Sequence, residues 1–62
     1  MRKDLSDRFG AFIGWMSIGN IEWVLYDKIG AYKGVYKVAG DATYDMVGRF
    51  IGTGNLLAAL LV

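Results

Sequence analysis

DKIGAYKGVYKVAGDATYDMVGRFIG, residues 27–52, is the most regularly patterned part of this 62-residue chain. Ile29, Tyr32, Tyr36, Ala39, Thr43, Met46 and Phe50 recur at alternating spacings of three and four, the stripe of an amphipathic helix. Lys33, Lys37, Asp41, Asp45 and Arg49 recur every four residues, mostly on the other side, where Lys37 with Asp41 and Asp45 with Arg49 would make i,i+4 pairs. Gly30, Gly34, Gly48 and Gly52 form two Gly-x-x-x-Gly pairs separated by 18 residues, or five helical turns, so all four would share one side. Glycine weakens a helix by about 1 kcal/mol relative to alanine, so a glycine face predicts the close approach of another backbone.

A β-hairpin around residues 36–45 is the alternative. Gly40 and Asp41 would turn between YKVA and ATYD, since glycine in first place suits a type II′ turn. That register sets Tyr36 beside Asp45 and Lys37 beside Tyr44, which mixes polar and apolar residues on both faces. The helix separates them, and the pattern favours it.

Upstream, residues 5–26 read LSDRFGAFIGWMSIGNIEWVLY. On a helical wheel the apolar residues surround the axis, and Ser17, Asn20 and Glu22 interrupt in different directions. A helix apolar all round is buried in protein or lipid. Ser6 would cap it, with Asp7 near the positive end of its dipole. Residues 9–26 are at the short edge of what spans a bilayer, with Trp23 and Tyr26 ahead of Asp27 and Lys28 as an interfacial anchor. Gly10 and Gly14 add a third small-residue pair on this helix. Downstream, Gly52 to Asn55 make a break, with Thr53 or Asn55 able to cap a new turn. Residues 56–62 are wholly apolar, too short to span a membrane and suited to docking in a groove, on the first helix or at an interface.

Composition narrows function more than it names it. The chain is 55% hydrophobic, yet so short that a partner or a bilayer is expected over part of that surface. It has no cysteine and no histidine, which excludes disulfides, thiolate or ordinary zinc sites and histidine-based acid/base chemistry. A net charge of +1 argues against a nucleic-acid partner, despite Tyr32 and Tyr36 beside Lys33 and Lys37. Asp41 and Asp45 could share a helix face but have no third ligand, and GTGN at 52–55 matches no phosphate loop. Met1-Arg-Lys starts basic, but Asp4, Asp7 and Arg8 interrupt before any apolar run, unlike a signal peptide.

The sequence thus predicts an all-α chain within one small domain, residues 1–62. An apolar helix (5–26) is followed by a long amphipathic helix (27–52) and a short apolar C-terminal segment. The helix-packing residues would be Gly30, Gly34, Gly48, Gly52, Gly10 and Gly14. The expected role is a non-enzymatic structural or accessory subunit, without cofactor or metal, at or in a membrane or within a larger particle. Homo-oligomerisation, or entry into a membrane complex, filament or virion, is the expected partnership. A membrane-active effector, holin-like or bacteriocin-like, and a soluble protein-binding module are the competing classes.

Overall fold

The glycine and aspartate spacings belong to a turn used three times, not to a helix. Asp7, Gly10 and Gly14 are matched by Asp27, Gly30 and Gly34, and again by Asp45, Gly48 and Gly52. In each unit one aspartate Oδ1 accepts two backbone N–H bonds, from residues two and four further on. The acceptors and donors are Asp7 with Phe9 and Ala11 (2.8 and 3.0 Å), Asp27 with Ile29 and Ala31 (3.0 and 2.9 Å), and Asp45 with Val47 and Arg49 (3.0 and 2.8 Å). The N–H groups of Gly10, Gly30 and Gly48 donate to the carbonyls of Asp7, Asp27 and Asp45, each at 3.0 Å. Those glycines hold φ of +83°, +87° and +87°, the left-handed region closed to most side chains. This is a tight hairpin turn completed by a left-handed glycine.

Three such hairpins make one sheet. The computed structural model describes residues 1–61: β1 (Arg2–Ser6), β2 (Phe12–Ile18), β3 (Glu22–Asp27), β4 (Tyr32–Lys37), β5 (Ala42–Asp45) and β6 (Phe50–Thr53), then a 3₁₀ helix, η1 (Leu57–Leu61). All six strands are antiparallel and lie in chain order. Each hairpin carries a β-bulge at the same place. Register shifts at Leu5/Ser6, Leu25/Tyr26 and Thr43/Tyr44 leave Ile13, Lys33 and Ile51 as the extra residues.

One face of the sheet is covered by η1. Met16 and Leu25 pack with Leu57 in the core, flanked by Leu5, Ile18, Trp23, Tyr36, Leu60 and Leu61. Gly14 and Gly34 lie beneath η1 and Gly52 beneath Leu56: a Cβ on Gly34 would come within 2.6 Å of Leu60 Cδ1 and 2.7 Å of the Tyr44 carbonyl oxygen. Thr43, fully buried, fixes the approach to η1, its hydroxyl donating to the Gly54 carbonyl (2.7 Å) and accepting from the Leu56 N–H (3.0 Å). Asn55 Oδ1 accepts from the Leu57 N–H at 3.2 Å and caps η1.

The all-α expectation is therefore overturned: no α-helix occurs among the described residues. Residues 5–26 look apolar all round because β2 and β3 carry apolar side chains on both faces, which a helical wheel spreads around its circumference. The 18-residue separation of the second and third units is a hairpin repeat that coincides with five helical turns. The hairpin alternative held the right structure in the wrong register. Tyr36 faces Thr43 and Val35 faces Tyr44, because residues 38–41 form the turn, with Asp41 at φ +49°. Shifted in this way, Val35 and Tyr44 come together on one face and Tyr36 and Thr43 on the other, with Lys37 and Asp45 at the strand ends. Among the described residues no helix is long and apolar enough to cross a membrane. The transmembrane-helix reading of residues 9–26 goes with the helix that carried it, and membrane association loses that support.

Candidate assembly surface

The other face of the sheet carries no helix among the described residues; on it Val35 and Ala42 are buried, and Trp15, Val24, Tyr26 and Tyr44 are half-buried. One row runs across β1 to β4 as Asp4, Trp15, Tyr26 and Tyr32, each opposite the next. A second crosses β2 to β6 as Ser17, Val24, Val35, Tyr44 and Phe50. The bulges turn Phe12, Tyr32 and Phe50 onto this face, opposite Ser6, Tyr26 and Tyr44, and all three are exposed.

Aromatic contacts stiffen the surface. Trp15 and Tyr26 stack with centroids 4.3 Å apart, and Tyr44 meets Phe50 edge-on at 5.9 Å. The Arg2 guanidinium lies 4.5 Å from the Trp15 ring centroid and pairs with Asp4 at 2.7 Å. At the opposite margin Lys37 pairs with Glu22 at 3.5 Å across β3 and β4. Both pairs are solvent-exposed and contribute little stability. Their consequence is that the charge on this face balances locally. A one-sided antiparallel sheet alternates apolar inward and polar outward. Here the outward positions are aromatic and β-branched as well.

The residues expected to pack helices fall into two sets. Gly10, Gly30 and Gly48 sit in the turns, where open space surrounds them. Gly14 and Gly34 receive η1 and the neighbouring strand, and Gly52 receives the Leu56 side chain just before η1. Close approach occurs at the second set, but from a strand and η1 rather than a second long helix. Trp23 and Tyr26 do not form a common anchor: three residues apart in β3, they point to opposite faces. Trp23 meets Tyr36 edge-on at 6.3 Å beside the core, and Tyr26 lies on the aromatic face. Of the expected charge pairs, Asp45 and Arg49 meet at 3.5 Å across a turn, whereas Lys37 pairs with Glu22 rather than Asp41.

Two groups have shifted protonation. Asp27 is held below the usual aspartate range, chiefly by the Ala31 N–H, against an opposing effect of burial, and further by the Ile29 N–H and the Lys33 ammonium at 3.8 Å. Tyr36 is pushed above its ordinary value because its hydroxyl donates to Asp41 at 2.6 Å. Both shifts belong to turns. Among the described residues no three acidic side chains gather where they could hold a metal ion.

The sequence reasoning missed the aromatic face, although Phe12, Tyr32 and Phe50 occupy one position of the repeated unit and so carried a signal. No protein-family model, curated protein or solved structure shows significant similarity to this chain.

Proposed function

We propose that this chain is a non-enzymatic structural subunit that assembles through its aromatic sheet face, with another copy of itself as the neighbour. The observation carrying this reading is the aromatic face built from Trp15, Tyr26, Tyr32, Tyr44 and Phe50 around the buried Val35, opposite the face that η1 covers, with Tyr32 and Phe50 exposed on it. Contiguous apolar surface of this kind marks protein contact more often than solvent. Aromatic residues at its centre and charges at its margin match the anatomy of interfaces. Arg2 and Lys37 balance Asp4 and Glu22, so the face favours neither an acidic nor a basic partner and tolerates its own likeness. The two larger dimensions of the molecule, 32 and 22 Å, bound a face comparable with the roughly 800 Å² per partner of an ordinary stable interface.

Light scattering on the purified chain tests this directly. The wild type is expected to be oligomeric at micromolar concentration. Phe50→Lys, at an exposed position, is expected to shift it to monomer with an unchanged far-ultraviolet spectrum. A wild type that stays monomeric up to roughly millimolar concentration, where even weak contacts form, defeats the proposal.

A further inference from the structure

A second apolar feature lies at the other end of the hairpins and owes nothing to the aromatic face. Phe9, Ile29 and Val47 occupy the same place in the three turns, just before the left-handed glycine, and are 80%, 82% and 71% exposed. Nothing in the turn requires an apolar side chain there, because its bonds come from the aspartate, the backbone and the glycine. Three large apolar residues at one equivalent, exposed position call for a reason outside the turn.

Two of these tips border grooves that η1 and the sheet form between them. One, of about 380 Å³, is lined by Ile13, Lys28, Ile29, Lys33, Leu60 and Leu61, with Asp27 at its edge. The other, of about 450 Å³, runs past Leu5, Arg8, Phe9 and Ala58 beside Ser6 and Asp7. Both are lined by Ile13, so the two grooves adjoin at the bulged isoleucine and together make a trough. A cation follows the aspartate in the two turns that border the trough, Arg8 and Lys28. The third turn, which lines neither groove, carries Met46 there. Asp27 pairs with Lys33 at 3.8 Å, whereas Lys28 and Arg8 make no ion pair among the described residues, which leaves Lys28 as the uncompensated cation of the first groove.

We infer that this trough binds a single-chain amphiphile with an anionic head. The alkyl chain lies across Ile13 between Ile29 and Phe9, and the head sits at Lys28. The volume and the mainly apolar lining with few charged groups fit a small-ligand site. The placement of the cations selects an acid over an alcohol.

Dodecanoate below its micellar concentration is the probe, titrated into isotopically labelled protein and followed by amide NMR. Dodecanol serves as the uncharged control, and vesicles of anionic phospholipid separate a monomeric ligand from a lipid surface. Saturable one-to-one binding is expected, with shifts at Ile13, Ile29 and Leu61. Lys28→Glu is expected to weaken it by about tenfold or more, the scale of one charge-assisted contact. Ile29→Ser is expected to weaken dodecanoate and dodecanol alike. The inference is overturned if dodecanoate causes no saturable shift, if dodecanol binds equally well, or if Lys28→Glu changes nothing. Shifts confined to Val35, Tyr44 and Phe50, or binding to vesicles alone, overturn it too. None of these results depends on the oligomeric state.

Discussion

Gly30 and Gly40 differ in what their backbones demand, although both are exposed turn glycines. Gly30 sits at φ +87°, so Gly30→Ala is expected to cost about 1–2 kcal/mol of unfolding free energy in urea. Gly40 has no left-handed φ, and a Cβ added there would meet nothing within 4 Å, so Gly40→Ala is expected to be neutral or to stabilise by up to about 1 kcal/mol. Gly34 is limited by space instead. Its Cβ would meet the Tyr44 carbonyl, and Gly34→Ala is expected to cost about 1–3 kcal/mol. Asp27 supplies a pH dependence of known sign. Its folded-state value is lowered, so the stabilisation is full above the ordinary aspartate range and disappears as pH falls through the folded value. The urea midpoint is expected to fall on acidification below about pH 4. Asp27→Asn keeps the turn oxygen but cannot titrate, so its midpoint is expected to fall less over that range. At this scale the sequence was legible only in part. Gly10, Gly30 and Gly48 stood out as special, but their spacing alone does not distinguish a helix face from a turn. The aspartate three residues before each glycine makes that distinction.

The hairpin is the element in which pattern and structure part company. An Asp-x-x-Gly-x-x-x-Gly unit places its marked residues three and four apart, the same intervals a helix uses for one face. Strand alternation, the competing signal, is erased twice here: both sheet faces are apolar, and each bulge shifts the alternation by one. What remained visible was a break before the apolar tail, although Gly52 and Thr53 belong to β6 and the break falls at Gly54 and Asn55; Gly54 takes φ +88° and Asn55 caps η1. The apolar tail after it was legible as a docking segment, and it docks on the sheet. Leu57 is its anchor, fully buried against Met16 and Leu25. Leu57→Ala is expected to cost about 2–5 kcal/mol. That is comparable with the whole stability of a domain this small, so circular dichroism at 25 °C is expected to show a largely unfolded chain.

For the whole molecule, the question is why 62 residues carry two apolar sheet faces when a single short helix can cover only one. A half-covered sheet of this size buries too little to be robust, and in the proposed assembly a neighbour on the aromatic face supplies the missing layer. The abundance of apolar residues raised the expectation of such cover from composition alone. Its location was not legible, because it depends on which side of the sheet η1 takes. The free edges are poor alternatives for assembly: β1 carries Arg2, Lys3 and Asp4, and β6 ends after four residues. Paramagnetic attenuation by a small neutral nitroxide in solution, read residue by residue at assembling concentrations, tests the face most directly. The account predicts that the Phe12, Tyr32, Tyr44 and Phe50 rings are shielded while Phe9 and Ile29 at the hairpin tips are strongly attenuated. Equal attenuation of the aromatic rings and the hairpin tips would contradict it.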